Sequence, residues 1–159
     1  MKIAVLISGG VDSAVVLHLL HEAGQKKLFF EPLNGGYIVC HKGHQYAHNE
    51  KGGEAEIKVA YLLARISAKC VELLPENGQG EGLPDLQFDG YTWDVKRIDG
   101  ANEGSIEKVL RNAKKADRVI FYWEDETGQI DRIIEARNRS KTKLAIYYMN
   151  KDGRLTALK

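Results

Sequence analysis

Residues 83–97, LPDLQFDGYTWDVKR, decide how the second half of the chain folds. Two short runs of apolar and polar residues flank an Asp-Gly dipeptide, which favours the tight turn of a β-hairpin. Side chains two residues apart point to the same face of a strand, so Asp94 and Lys96 share a face. Asp85 opens the first strand, and the hairpin brings it towards Asp94. The segment therefore predicts two carboxylates and one ammonium group at the end of one hairpin.

Strands and helices alternate on both sides of this hairpin. Apolar runs predict strands, and apolar residues at helical spacing predict helices, one of them capped by Ser105. Asp152-Gly153 marks the turn of a second, terminal hairpin. The predicted strands outside the first hairpin are 27–30, 37–42, 69–74, 118–123, 143–150 and 154–159, and the predicted helices are 53–67, 105–113 and 128–140. This order predicts an α/β fold with a mixed sheet flanked by helices.

The chain opens with a strand, KIAVLI, that ends in the loop SGGVDS and continues into a helix. Glycines after a strand let the backbone approach an anion, and the amides of a helix N-terminus attract it. The loop residues that would bind ATP or a phosphate are Ser8, Gly9, Gly10, Asp12 and Ser13. A plain strand-to-helix turn capped by Asp12 is the structural alternative.

Length and composition fit one ordinary globular domain, or one domain with a small appendage. The turn-rich stretch 32–36 predicts a boundary that separates a strand-loop-helix-strand unit, 1–33, from a larger domain, 34–159. The net charge of +1 gives no global reason to expect a polyanionic partner, so any nucleic-acid site must be local. The sequence shows neither a secretion signal nor a membrane span, which predicts a cytoplasmic protein without a membrane partner.

Four residues form a pattern that predicts phosphodiester chemistry. Asp85 and Asp94 can hold Mg²⁺ or another divalent cation, and Lys96 beside them can position or activate the attacking water. Glu56 lies with Ala60 on an apolar helix face, where a carboxylate needs a partner. Each residue also has a structural interpretation, as a turn residue, an edge-strand pair or a favourable charge in the first turn of a helix.

His41 and His44 are the remaining residues with catalytic potential. Histidine transfers protons in metal-free ribonucleases, and two histidines three residues apart can also coordinate a metal. A strand end followed by a solvated turn explains them equally well. Two basic stretches, Arg111 to Arg118 and Arg137 to Lys143, can neutralise phosphates or simply be solvated.

The opening MKIAVLISGGVDSAVVLHLLHEAG resembles the start of the PP-loop ATP pyrophosphatases, particularly the tRNA thiouridylases. In that family the SGGxDS loop grips the pyrophosphate of ATP, and Gly9, Gly10, Asp12 and Ser13 match it. The resemblance covers about the first 25 residues, and the strand-helix alternation of that fold stops after Phe30. An ATP-binding PP-loop module is therefore an alternative function, and the loop is expected to bind phosphate without catalysis.

The order of a helical Glu, a PD and a DVK matches the PD-(D/E)xK nuclease pattern. Residues 34–159 also resemble the C-terminal nuclease toxins of contact-dependent inhibition systems, through GGYIVCHKGHQ, PDLQFDGYTWDVK, GSIEKVLRNAKKADRVIF and LAIYYMNKDGRL. Such domains cut tRNA or DNA, on either a PD-(D/E)xK core or a metal-free barnase-like fold. The resemblance implies a toxin-type nuclease, acting on RNA in our interpretation, with a cognate immunity or antitoxin protein. An inactive interaction domain is the third alternative.

Overall fold

The computed structural model describes residues 26–30, 33–41, 44, 52–75, 83–98, 103–113, 115–123 and 130–158. The predicted first strand, its helix and the phosphate loop with Ser8, Gly9, Gly10, Asp12 and Ser13 lie outside these residues.

The described residues form one mixed sheet with helices on both faces. The strands are β1 (Lys26–Phe30), β2 (Tyr37–Cys40), β3 (Cys70–Leu73), β4 (Leu86–Phe88), β5 (Tyr91–Arg97), β6 (Arg118–Trp123), β7 (Ala145–Asn150) and β8 (Leu155–Leu158). The helices are α1 (Gly52–Ser67), α2 (Glu103–Asn112) and α3 (Ile130–Ser140). The strands lie in the sheet in their order along the chain, as connections between neighbouring strands favour. The predicted α/β fold with a mixed sheet is confirmed.

Whether neighbouring strands of the sheet pair parallel or antiparallel depends on what connects them. Helical connections join three parallel pairs, β2 with β3, β5 with β6 and β6 with β7. The other neighbours pair antiparallel. As a consequence β3 and β5 run in the same direction, and the start of β4 lies beside the end of β3.

Each face of the sheet packs against its own helices. On one face, Leu63 of α1 packs in a buried cluster with Trp93 and Val95 of β5. On the opposite face, Leu110 of α2 and Ile133 of α3 belong to a second buried cluster. These apolar side chains are removed from water on both faces, and their burial provides the main stabilising contribution of the fold.

The predicted central hairpin is present. Leu86 pairs with Trp93, and the indole Nε1 of Trp93 donates to the Phe88 carbonyl at 3.0 Å. Asp89 and Gly90 in the turn have φ angles of 52° and 78°. Two consecutive positive φ angles match the right-handed twist of the strands, and Asp-Gly tolerates them better than most pairs. This turn fixes the register of β4 against β5 and thereby the position of the site.

The predicted boundary at residue 33 falls between two paired strands. β1, assigned from the sequence to the N-terminal unit, pairs antiparallel with β2. The Asn34 side chain accepts from the Gly36 amide at 2.9 Å and donates to the Arg65 carbonyl at the end of α1. The turn is therefore anchored to α1, and the division of the chain into two units stays a prediction.

One local expectation is wrong. The helix α2 begins at Glu103, so Ser105 lies inside its first turn instead of preceding it. Cys40 is buried and Cys70 is partly buried, and neither forms a disulfide. Within the described ranges, no helix is long and apolar enough to cross a membrane.

Candidate active site

Backbone hydrogen bonds hold Asp85 at the junction of three strands. Its amide donates to the Trp93 carbonyl at 2.9 Å, and its carbonyl accepts from the Leu74 amide at 3.0 Å. The Asp85 carboxylate accepts from the Val95 amide at 2.6 Å. The hairpin register thus continues one residue beyond β4 and aims the Asp85 side chain at β5.

Asp94 and Lys96 of β5 meet Asp85 at this point. The Lys96 ammonium donates to Asp94 Oδ1 and lies 3.6 Å from Asp85 Oδ2. A hydrogen bond links the side chains of Asp85 and Asp94. Asp94 is 8% exposed, so the carboxylates are largely removed from water while Lys96 stays partly accessible. The hairpin therefore brings together the three residues that the sequence predicted.

Two carboxylates in one desolvated place cannot both ionise easily. The pKa of Asp85 is raised to about 8, and burial is the largest cause. The charge of Lys96 opposes this rise, while the charges of Asp94 and Glu56 add to it. At neutral pH Asp85 therefore carries a proton. Burial alone lowers the pKa of Lys96, but Asp85 and Asp94 raise it by more, so its pKa lies above the usual value.

Glu56 approaches the site from the first turns of α1. Its side chain is 12% exposed, and its Oε2 lies 3.4 Å from His44 Nε2. His44 Nδ1 lies 2.7 Å from the Leu74 carbonyl, which only accepts, so this ring nitrogen carries a hydrogen. Leu74 thus links the two residues: its carbonyl accepts from the His44 ring, and its amide donates to the Asp85 carbonyl.

His41 and His44 do not form a pair. His41 Nε2 lies 3.0 Å from the Glu72 carboxylate of β3, whereas His44 faces Glu56. The sequence treated the two histidines as one cluster, and the structure gives each its own carboxylate. Glu72 was missed, although a carboxylate within the apolar strand CVEL is an unusual residue that signals a polar partner.

The donor set fits a hard cation that keeps part of its hydration shell. In the described part of the chain, no group of three His, Cys, Asp or Glu side chains is placed to hold a metal ion. The carboxylates of Asp85 and Asp94 nevertheless offer oxygen ligands close together beside Lys96. Mg²⁺ commonly binds through one or two carboxylates together with waters and substrate phosphates. Asp85 and Asp94 suit that mode of binding.

Comparisons with known proteins find a different family in each half of the chain. Residues 82–154 match the family described as contact-dependent growth inhibition CdiA C-terminal domain. Residues 1–67 match the family described as tRNA methyl transferase HUP domain. None of the curated proteins matches the chain. Asp85, Asp94 and Lys96 lie within the first match, whereas Glu56 and the phosphate loop lie within the second.

One solved structure shares the fold. A chain of the CdiA-CT/CdiI toxin and immunity complex from Burkholderia pseudomallei is 21% identical, with a TM-score of 0.54. The match covers 69% of the present chain and 86% of that chain. The predicted resemblance to the C-terminal toxin domains of contact-dependent inhibition systems is confirmed, and so is the presence of a separate N-terminal resemblance.

Proposed function

We propose that the chain is a toxin-type nuclease that hydrolyses phosphodiester bonds of RNA, with tRNA as its first candidate substrate. The observation that carries this proposal is the contact of Asp85, Asp94 and Lys96 on one hairpin. Glu56 lies on a helix, the PD precedes the first strand of the hairpin and the DVK lies on its second strand, and this order supports the PD-(D/E)xK interpretation. The similarity to CdiA C-terminal domains supports the toxin-type part of this proposal.

Each residue has a role that follows from its contacts. Lys96 is the most accessible of the three, and its ammonium can donate to a phosphate oxygen or orient a water for attack. Asp94 holds Lys96 by its ion pair, and the Val95 amide fixes Asp85. Asp94 is one methylene shorter than the Glu of many such sites, and its influence on the pKa of Asp85 supports a role for this shorter carboxylate.

Mg²⁺ or another divalent cation held by Asp85 and Asp94 would polarise the phosphate and lower the pKa of a bound water. The positive charge would also favour the ionised form of Asp85, which otherwise carries a proton at neutral pH. Glu56 adds negative charge near this pair, and His44 orients Glu56 through its contact at 3.4 Å.

A chelator experiment distinguishes this route from a metal-free one. We expect purified protein to cleave tRNA or single-stranded RNA with Mg²⁺ or Mn²⁺, to lose activity in excess chelator and to regain it when the metal is restored. Cleavage that persists in chelator would favour the barnase-like route through His41 or His44. In that case His41→Ala, which removes the imidazole beside Glu72, should abolish cleavage.

An immunity protein is the expected protein partner. The structurally similar chain comes from a toxin and immunity complex, which supports a cognate inhibitor for this chain as well. Inhibition of RNA cleavage by a candidate protein at equimolar concentration would identify such a partner.

A second function is favoured by the match of residues 1–67 to a family named for tRNA. The loop Ser8 to Ser13 would then bind the phosphates of ATP through its glycine amides. The residues proposed for that contact are Gly9, Gly10, Asp12 and Ser13. This site differs in ligand from the hairpin site, so the two functions can be tested separately.

A further inference from the structure

A cavity of about 400 Å³ lies where α2 and α3 end. The two basic stretches of the sequence meet here, because Arg111 comes from the last turn of α2 and the lysines follow α3. The polar residues that line it are Arg111, Asp117, Ser140, Lys141, Thr142 and Lys143. The proposed nuclease site uses none of them.

The charge of this cavity is positive after its negative groups are counted. Asp117 is the one carboxylate among the described lining residues, and it accepts from the Thr92 amide and hydroxyl, both at 2.8 Å. The C-terminal ends of α2 and α3 each add about −0.5 of a charge. Among the lining residues, the three basic side chains exceed these contributions by about one charge. Glu107, which does not line the cavity, lies 3.8 Å from Arg111 and offsets part of that excess.

The Thr142 hydroxyl beside the lysines adds a donor for phosphate, whereas the Ser140 hydroxyl donates to the Arg137 carbonyl at 3.0 Å. The Thr142 hydroxyl accepts from the Leu144 amide at 3.3 Å, so its own hydrogen can be donated to a ligand. Lysine ammonium groups and Thr hydroxyls are common donors to the backbone of nucleic acids. The concave shape lets several donors reach one phosphate group.

The cavity lies on the face of the sheet that carries the nuclease site. Asp94 pairs with Val119 and Lys96 with Phe121, and both partners belong to the cluster under α2 and α3. Thr92, which binds Asp117, precedes Asp94 by two residues, or about 7 Å along β5. Asp117, which lines the cavity, therefore lies beside β5 two residues before Asp94.

We infer that the cavity bounded by Lys141 and Lys143 binds a backbone phosphate of the RNA substrate, away from the bond that is cut. This inference rests on the proposed nuclease function for its choice of ligand. The site supplies affinity and positions the strand, whereas Asp85, Asp94 and Lys96 carry the chemistry.

The test measures binding without cleavage, with a labelled single-stranded RNA of mixed sequence in excess chelator. Each phosphate contact with a single strand contributes about 0.7 to the slope of log affinity against log salt concentration. We expect Lys141→Gln/Lys143→Gln to weaken binding and to reduce the slope by about 0.7, the loss of one phosphate contact. The matched control is Lys58→Gln/Lys151→Gln, which removes two lysines lining a different cavity, of about 350 Å³, beside α1. Its slope should equal that of the wild type.

Several outcomes would overturn the inference, and each can be told apart from failure of the nuclease proposal. An unchanged slope in the cavity variant, with RNA cleavage intact in the wild type, refutes the cavity alone. Equal losses of RNA affinity in the cavity variant and the control variant would indicate general charge attraction, and this result would also refute the inference. Polyglutamate binding that equals RNA binding and depends on the same lysines would assign the cavity to an acidic protein. A cavity-dependent slope in a protein that never cleaves RNA supports phosphate binding at the cavity and refutes the nuclease proposal.

Discussion

Asp85 carries a proton at neutral pH because burial places its carboxyl group in a poorly solvated site beside Asp94. The folded chain therefore binds a proton that the unfolded chain releases above its ordinary pKa of 3.8. This proton contributes stability that is fully present below pH 3.8 and is lost as the pH rises through about 8.

Replacement of this carboxyl group should change how stability depends on pH. Asp85→Asn retains an acceptor for the Val95 amide but removes the titrating group. In chelator, the unfolding free energy of the wild type should fall relative to the variant by up to about 1.4 kcal/mol per pH unit between these two values. Denaturant titrations at several pH values measure this difference, with Asp89→Asn in the exposed turn as the matched control. Parallel curves for wild type and Asp85→Asn would contradict the assigned proton.

The sequence predicted which residue types meet at the site, but not how they pair. Alternation along β5 places Asp94 and Lys96 on one face, and this local rule was sufficient. The contacts of His41 with Glu72 and of His44 with Glu56 join residues from different elements. Spacing within one segment contains no information about such contacts, so the histidines were grouped together although they face different carboxylates.

At the scale of elements, local signals again explain what was predicted. The Asp-Gly turns at residues 89–90 and 152–153 and the apolar periodicities located the hairpins and helices. The start of α2 was misplaced because Ser is a common cap but also occurs in a first turn. The pairing of β1 with β2 was not foreseen, since the turn between them has the composition of a linker.

Gly36 tests whether that turn is a linker or a packed part of the fold. A Cβ atom at Gly36 would lie 2.0 Å from the Ala64 carbonyl oxygen, so Gly36→Ala forces the turn away from α1. We expect a loss of about 3 kcal/mol in urea titrations. Gly35→Ala is the matched control: its Cβ meets nothing within 4 Å, and its φ of 79° costs about 1 kcal/mol. Equal effects of the two variants would indicate a loosely attached turn.

At the scale of the whole molecule, the two halves of the chain match two different families. The toxin-type match covers 82–154, and the N-terminal match covers 1–67. The sheet spans this division, because β1 and β2 fall in the N-terminal match while β4 to β7 fall in the toxin-type match. The fold class could be predicted because it follows from the alternation of strands and helices along the chain. The assignment of ATP to the loop needs an experiment.

The loop at residues 8–13 should bind phosphate without pyrophosphatase turnover. ATP with Mg²⁺ should raise the thermal midpoint, by an amount equivalent to about 2.7 kcal/mol at a ligand concentration of 100 Kd, and Asp12→Ala should remove the shift. No pyrophosphate should appear, because hydrolysis also requires adenosine positioned in line with a nucleophile. Release of pyrophosphate that Asp12→Ala abolishes would make the ATP-dependent function the primary one.

The central claim is that Asp94 and Lys96 carry phosphodiester hydrolysis, and the rate of RNA cleavage with Mg²⁺ tests it most directly. Asp94→Ala and Lys96→Ala should each lower the rate by about 10²-fold or more, since each removes a group that acts on the reacting phosphate or its water. Asp89→Asn, which keeps a residue that tolerates the positive φ of the turn, and Lys69→Ala each remove an exposed ion pair of the same hairpin and should leave the rate unchanged. Wild-type cleavage in both Asp94→Ala and Lys96→Ala would contradict the claim.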